Sequence, residues 1–273
     1  MRTKLIGDIH TEEFSTLLLK IGNGTVNDKD EYITIVKKLA VSKNSLEQLI
    51  QNVYRDIKNL KNLSNGWLCE RVILTTTNNR ADLINSLIIS GFQALEMDYF
   101  STYTVVDNEE LVNFPTEFLN SQTLSGMPPH KISLKVGVPI ILLINLNSPR
   151  LCNGTRLCVI SLTKNIIEVE ILTGCAKEEK ILLPKIPLYP NDFPVKLRRI
   201  QFPIKVYFAM TINKAQGLTL TYCGVDLENN CFSHGQLYVT LSRVGRPDHL
   251  YVYAPQNKIR NVVYQEVLTR ATT

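Results

Sequence analysis

Two stretches of strand–loop–helix pattern enclose a block of short strands, and that interruption limits the folds open to this chain. Arg71 to Thr77 is a compact run of apolar and β-branched residues. Asn78-Asn79 follows, and Ala81 to Ile89 repeats apolar side chains at helical spacing. The alternation returns at Lys205. It reads as strand Val206 to Met210, loop Thr211 to Gly217 entering a helix, strand Gly224 to Leu227, helix Gln236 to Ser242, strand Leu250 to Tyr253 and helix Val262 to Leu268. Units of this kind build a parallel sheet. Between them, Lys135 to Leu146, Arg156 to Leu162, Ile166 to Leu172 and Lys180 to Leu183 are strand candidates. They are separated by Asn153-Gly154, Lys164-Asn165 and Gly174, a spacing that suggests a small antiparallel barrel. The expected fold class is therefore α/β, with a small antiparallel β-barrel inserted into a parallel-sheet domain. Residues 94–130 carry Pro115, Pro128 and Pro129 and read as extended chain and turns. Near the start, Phe14, Leu17, Leu18 and Ile21 form a helical stripe stopped by Gly22-Asn23-Gly24. Leu46, Leu49, Ile50 and Val53 form a second short helical face.

The chain is long enough for one large or two modest domains, and 44% hydrophobic residues permit a sizeable core. The net charge of +5 is concentrated late: residues 191–273 hold ten Lys/Arg against five Asp/Glu, and the first 190 residues balance. A basic final third points either to a polyanion partner or to an ordinary solvated surface. Six cysteines, at 69, 152, 158, 175, 223 and 231, form no C-x-x-C pair and have no histidine at zinc-ligand spacing. No metal site is expected, and reduced thiols in an intracellular compartment are the expectation. Met1 to Ile9 lacks the apolar core of a secretory signal. The longest apolar run, Val136 to Leu146, is too short to span a bilayer, so no membrane partner is expected.

Two stretches carry chemistry. Phe208-Ala-Met-Thr-Ile-Asn-Lys-Ala-Gln-Gly-Leu-Thr-Leu220 places a hydroxyl, two amides, a cation and a glycine on one strand-to-helix turn. Backbone N–H groups at a helix start and a close-approaching Gly217 suit an anionic oxygen, and a capped helix with a glycine kink suits the same letters. In Phe232-Ser-His-Gly-Gln-Leu-Tyr-Val-Thr-Leu-Ser-Arg-Val244, residues Gln236, Val239, Thr240 and Arg243 share one helix face. Arg243 at its end is either a finger toward a phosphoryl group or a surface cation paired with a carboxylate such as Asp248.

Together these stretches resemble motifs V and VI of superfamily 1B helicases, in the PIF and Helitron branch. The likeness extends to Leu17-Leu-Leu-Lys-Ile-Gly-Asn-Gly-Thr25 after motif III and to Glu70-Arg-Val-Ile-Leu-Thr-Thr-Thr-Asn-Asn79 at motif IV. Phe114-Pro-Thr-Glu-Phe-Leu-Asn-Ser121, Gly126-Met-Pro-Pro-His130 and Leu134-Lys-Val-Gly-Val-Pro139 resemble the lead-in to the branch's domain 2B. Cys152-Asn-Gly-Thr-Arg156 and Ile171-Leu-Thr-Gly174 resemble segments inside it.

The resemblance implies a RecA-like domain 2A over 60–130 and 205–273, an inserted Src-homology-3-like domain 2B over 131–204, and an inter-domain remnant over 1–59. It implies DNA contacts from Thr76, Asn78, Thr211 and Asn213, where most relatives have His in place of Asn213. It implies nucleotide contacts from Gln216, Gly217 and Lys214, with Lys214 able to serve either face, and Arg243 as arginine finger. ATP and Mg²⁺ are the family's cofactors, single-stranded DNA its partner, and 5′ to 3′ its direction. DNA repair, recombination, telomere maintenance, rolling-circle transposition and a nuclear location are its settings. The phosphate loop G-x-x-x-x-G-K-[ST] does not occur in these 273 residues. Glu109-Glu110 follows Asp107-Asn108 and not an apolar strand. The expectation is a chain holding only the second motor domain, inactive on ATP unless the first domain is supplied. Two other readings stand beside it: a single-stranded nucleic-acid-binding module, and a degenerate transposon-derived fragment.

Overall fold

The computed structural model describes residues 9–55, 57, 65–105, 114–122, 124, 126–190, 193 and 197–270. The Glu109-Glu110 pair and most of the loop-like stretch from Asn59 lie outside them. Along the chain the elements are α1 Ile9–Gly22, β1 Tyr32–Thr34, β2 Val41–Lys43, α2 Leu46–Val53, α3 Asn65–Cys69, β3 Arg71–Thr75 and α4 Asn78–Ser90. Next come β4 Glu96–Phe100, β5 Thr102–Val105, α5 Thr116–Ser121, β6 Lys131–Lys135, β7 Pro139–Leu142, β8 Arg156–Leu162, β9 Ile166–Ile171, β10 Lys180–Pro184, β11 Ile186–Leu188, β12 Leu197–Gln201 and β13 Ile204–Val206. The last are β14 Ala209–Thr211, β15 Tyr222–Asp226, α6 Gln236–Leu241, β16 Leu250–Tyr253, β17 Lys258–Arg260 and α7 Gln265–Arg270. They divide into two compact units, one of residues 1–57, 67–88 and 208–273, the other of 58–66 and 89–207.

The first unit is built on a parallel sheet of order β14-β3-β15-β16-β2. Its central strands are apolar without alternation: Val72, Ile73, Leu74, Cys223, Val225, Leu250 and Val252 are all buried. That is the signature of strands covered on both faces. One cover is α2, capped by the Ser45 hydroxyl accepting from the Gln48 N–H and burying Leu46, Leu49 and Val53. It lies so close that a Cβ at Gly224 would stand 2.8 Å from Val53 Cγ2 and 2.9 Å from Ile73 Cγ1, so only glycine fits there. The Tyr54 hydroxyl donates to the Phe208 carbonyl at 2.6 Å. Buried Asn261 fastens the end of α1, donating to the Ile21 carbonyl at 2.8 Å and to Asn27 Oδ1 at 2.7 Å. β1 and β17 form a separate antiparallel pair.

The second unit is antiparallel, with sheets of order β10-β9-β8-β7-β13, β11-β12-β5 and β4-β6. Here apolar residues alternate, as in β9, where Ile167, Val169 and Ile171 are buried while Glu168 and Glu170 between them are partly exposed. Asn153-Gly154 and Gly174 form the expected turns, with Gly154 at φ 90° and Gly174 at φ 93°.

The structure differs from the sequence reading in several places. Lys135 to Leu146 is two strands, because Gly137 turns at φ 89° and its N–H bonds the Val159 carbonyl. Val206 to Met210 is divided between β13 and β14, which belong to different sheets. The final helix begins at Gln265, after buried Val262. Residues 89–130 group with the antiparallel unit and not with the parallel sheet. The cause is pairing: β4 joins β6, β5 joins β12, and buried Arg199 donates to the carbonyls of Pro128 at 2.5 Å and Gln122 at 3.1 Å. Among the described residues no helix is long and apolar enough to cross a membrane, and the six cysteines form no disulfide.

Candidate nucleic-acid interface

Parallel strands bring all their carboxyl ends to one edge, where the loops of an open α/β sheet collect ligands. The registers align Thr211, Thr75, Asp226, Tyr253 and Lys43 across that edge. Because Thr211 and Thr75 are paired, the segments after β14 and β3 leave the sheet side by side. The first gives exposed Asn213 and Lys214, then exposed Gln216 and Gly217; the second gives exposed Asn78 at the start of α4. Amides and an ammonium in the open are suited to phosphate oxygens, which carry no sequence information.

Two expected features take another form. Thr76 is buried, and its hydroxyl donates to the Asn229 carbonyl at 3.3 Å, so it ties the loop after β3 to the loop after β15. The Thr211 to Gly217 segment enters no α-helix: Ile212–Ala215 is a single 3-10 turn, closed by the Leu218 N–H on the Ala215 carbonyl at 3.1 Å. Only a short loop separates β14 from β15, too little for a helix that crosses the sheet. Gly217 has φ 85°, and a Cβ there would meet nothing within 4 Å. The left-handed backbone, not close approach, requires glycine at this point.

Arg243 follows α6 directly. Its guanidinium donates to the Val239 carbonyl at 2.7 Å, to Ser242 Oγ at 3.1 Å, and to the Ala215 and Leu218 carbonyls at 3.4 and 3.3 Å. The Leu220 N–H returns a bond to the Arg243 carbonyl at 3.0 Å. The two motif stretches therefore meet: Arg243 rests on the loop that carries Gln216 and Gly217. Asp248 is taken by Arg246, which grips it with two bonds of 3.0 Å. On the same helix, Gln236 and Thr240 are buried, and Gln236 Oε1 accepts from the Phe232 and Ser233 N–H groups.

Two fastenings were not read from the sequence. Arg80 on α4 pairs with buried Asp226 at 2.5 Å, and Glu228 adds a contact at 3.7 Å and accepts from the Tyr253 hydroxyl at 2.8 Å. The Asp226 hydrogen bond raises the Arg80 pKa above its usual value. Asn85 clamps both backbone groups of Ala209, accepting from its N–H at 2.8 Å and donating to its carbonyl at 3.0 Å, and so holds β14 below Thr211. Both partnerships join residues more than 120 positions apart, so no local pattern signals them.

The basic final third is not one open face. Arg199 is buried, Arg246 pairs with Asp248, and Arg260 pairs with Glu31 at 3.0 Å. Arg243, Gln216 and the backbone at Gly217 bring donors of the kind that suit phosphate oxygens to one loop, with the Arg243 guanidinium engaged on carbonyls of that loop. The described residues hold no group of three or more acidic, histidine or cysteine side chains placed for a metal ion.

The profile of the family described as DNA helicase Pif1, 2B domain, matches residues 117–162. The chain is 27% identical over 212 residues to the ATP-dependent DNA helicase Pif1 of Campylobacter jejuni, covering 73% of this chain and 44% of that protein. Its fold resembles the crystal structure of Pif1 helicase from Candida albicans, with TM-score 0.65 and 21% identity over 96% of this chain and 57% of that one. It also resembles Pif1 helicase from Bacteroides in complex with ADP-AlF3 and ssDNA, with TM-score 0.55 and 20% identity over 88% and 55% of the two chains. The chain thus spans less than half of that curated relative and little more than half of either solved chain. Over the length that it spans, the chain is similar to part of the Pif1-type DNA helicases.

Proposed function

We propose that this chain is the strand-gripping second motor domain, with its inserted module, of an ATP-dependent 5′ to 3′ DNA helicase of the Pif1 type. The observation that carries the reading is the paired exit of two segments at one sheet edge, which brings the exposed Asn78 of one and the exposed Asn213 and Lys214 of the other to the same edge. Single-stranded DNA is the proposed partner, held through its backbone by these three residues and Thr211, with Thr76 positioning the loop. Residues 131–204, within the antiparallel unit, are read as the Src-homology-3-like domain 2B, and the settings are those of DNA maintenance in the nucleus.

Arg243, Gln216 and Gly217 are read as the wall of an ATP site that a first RecA-like domain completes, with Lys214 open to either face. The bonds from Arg243 to Ala215 and Leu218 are long ones that a phosphoryl oxygen can replace. Bound ATP with Mg²⁺ supplies the phosphoryl transfer, and in it this chain's part is to place one cation where charge develops. Without a phosphate cradle in these residues, the chain alone turns over no ATP.

The test has two arms. Labelled single-stranded oligonucleotide should raise its anisotropy with the purified chain, the affinity falling steeply with salt as counterions are released. Asn213→Ala with Lys214→Ala should weaken binding alike for every sequence. A flat titration at low salt sinks the reading. In the second arm, phosphate release should stay at background for the chain alone and appear once the family's first domain is joined to it. In that fusion Arg243→Ala should lower turnover by roughly 10³-fold or more. DNA-stimulated turnover by the chain alone that vanishes in Arg243→Ala would overturn the one-wall reading.

A further inference from the structure

At the amino-terminal edge of the parallel sheet, Asn52, Arg55, Trp67, Arg71, Tyr222 and Tyr251 line a cavity of about 170 Å³. Arg71 opens β3 and Tyr222 opens β15, whereas Thr75 and Asp226 close those strands. The cavity thus lies a strand's length, roughly 13 Å, from the loops described above.

Its cations are held in an unusual way. The Arg71 guanidinium sits 4.2 Å from the centroid of the Trp67 ring and 4.3 Å from that of Tyr222. It donates to the Trp67 carbonyl at 2.9 Å and meets the Glu70 carboxylate at 3.5 Å. A guanidinium stacked on aromatic rings keeps its plane, and a planar fork with a fixed orientation is suited to an oxyanion. Arg55 is exposed just beyond α2, reaches the Tyr251 hydroxyl at 3.5 Å, and has no carboxylate within ion-pair distance among the described residues. Lys43 stands 5.2 Å from the Tyr251 ring centroid, its ammonium pushed below the usual lysine value by burial and by the Arg55 cation. Two guanidinium groups, of Arg55 and Arg71, line the cavity beside aromatic rings, with Lys43 behind Tyr251. Among the described residues the carboxylate within ion-pair distance of these cations is that of Glu70. Such a cluster of cations favours an anion.

We propose that this cavity binds a phosphate group, gripped by Arg55 and Arg71 beside the Trp67 and Tyr222 rings. It is smaller than the roughly 300–1,000 Å³ of sites that enclose whole small ligands. It therefore takes the phosphate and leaves the remainder of a larger ligand outside. A strand phosphate and a free phosphate present the same oxygens, and the site depends on no residue of the strand-gripping edge.

Trp67 is the chain's single tryptophan, so its emission reports this cavity directly. The full chain is titrated at constant ionic strength with inorganic phosphate and, separately, with a thymidine oligonucleotide. Saturable change with phosphate is expected, with Arg55→Ala weakening it roughly ten-fold or more and Arg55→Lys restoring part of the loss. Responses to phosphate and oligonucleotide that both depend on Arg55 assign a strand phosphate to the site. A response to phosphate alone supports the site with a free phosphate as its occupant. No response, or one that Arg55→Ala leaves intact, overturns the proposal, whatever the anisotropy of labelled DNA shows at the other edge.

Discussion

The two units use buried polar side chains for different purposes. In the parallel unit such groups join elements already regular in themselves: Arg80 with Asp226, Asn85 with Ala209, Asn261 with Ile21. In the antiparallel unit most of them hold backbone outside the helices and strands. Arg199 donates to Gln122 and Pro128, Gln201 donates to Tyr99 and His130, and Lys135 donates to Ile89 and Phe92. The carbonyls of Phe92, Gln122, Pro128 and His130 lie outside helices and strands, and long donors from neighbouring strands satisfy them. A polar contact in the first unit thus sets geometry at a strand edge, and one in the second sets the path of a connecting segment.

The comparison is tested hardest by Arg80→Ala. It strands a carboxylate with no exposed surface, and loss of one partner of a buried pair costs about 3–5 kcal/mol. Urea unfolding followed by hydrogen exchange should show the loss in the parallel unit, with β8 and β9 amides unchanged. Equal loss of protection in both units would show that the groups do not act locally.

Arg199→Ala is the counterpart. It removes the donors to Gln122 and Pro128, at a cost of about 2–3 kcal/mol. Limited proteolysis should then cut within residues 114–130 while the five-stranded sheet stays protected. Cleavage at wild-type rates would break the claim that this side chain sets the segment's path.

The smallest effect is one of pH. His130 shares a hydrogen bond of 2.8 Å with Ser101 Oγ, and burial, then the Arg199 cation, lowers its pKa from the usual value. A lowered folded pKa means that the unfolded chain binds the proton more readily. This contribution to stability is full above about pH 6.5 and is lost as pH falls through the folded value. The urea midpoint should drop slightly toward acid, and His130→Gln should flatten that slope; an unchanged slope would remove His130 from the account.

How much could be read beforehand follows the same division. Arg156–Leu162 and Leu250–Tyr253 are found as read, because a buried strand bounded by turns is visible in a dozen letters. β4 was not legible: it exposes Glu96, Met97, Asp98 and Phe100 and buries only Tyr99, so its apolar pattern has no period to detect. It is a strand because β6 pairs with it. Among the candidate contacts, Asn78, Asn213 and Lys214 are exposed in the segments that follow β3 and β14. The occupation of Thr76 was hidden, since its partner Asn229 lies 153 residues away. The grip of Arg243 on Ala215 and Leu218 was hidden for the same reason, a fold that brings distant loops together.

Ala209 pairs with Ile73, and residues 89–207 of the antiparallel unit lie between them in the chain. During synthesis at 5–20 residues per second, β3 is made on the order of ten seconds before the strand that flanks it. Through that interval Val72, Ile73 and Leu74 present an unpaired apolar edge, the kind of surface that recruits other nascent chains. The inserted unit, rich in hairpin pairings close in sequence, can fold within the wait. The yield of folded chains should therefore depend on how quickly residues 89–207 leave the ribosome, a property set by codon usage and chaperone supply.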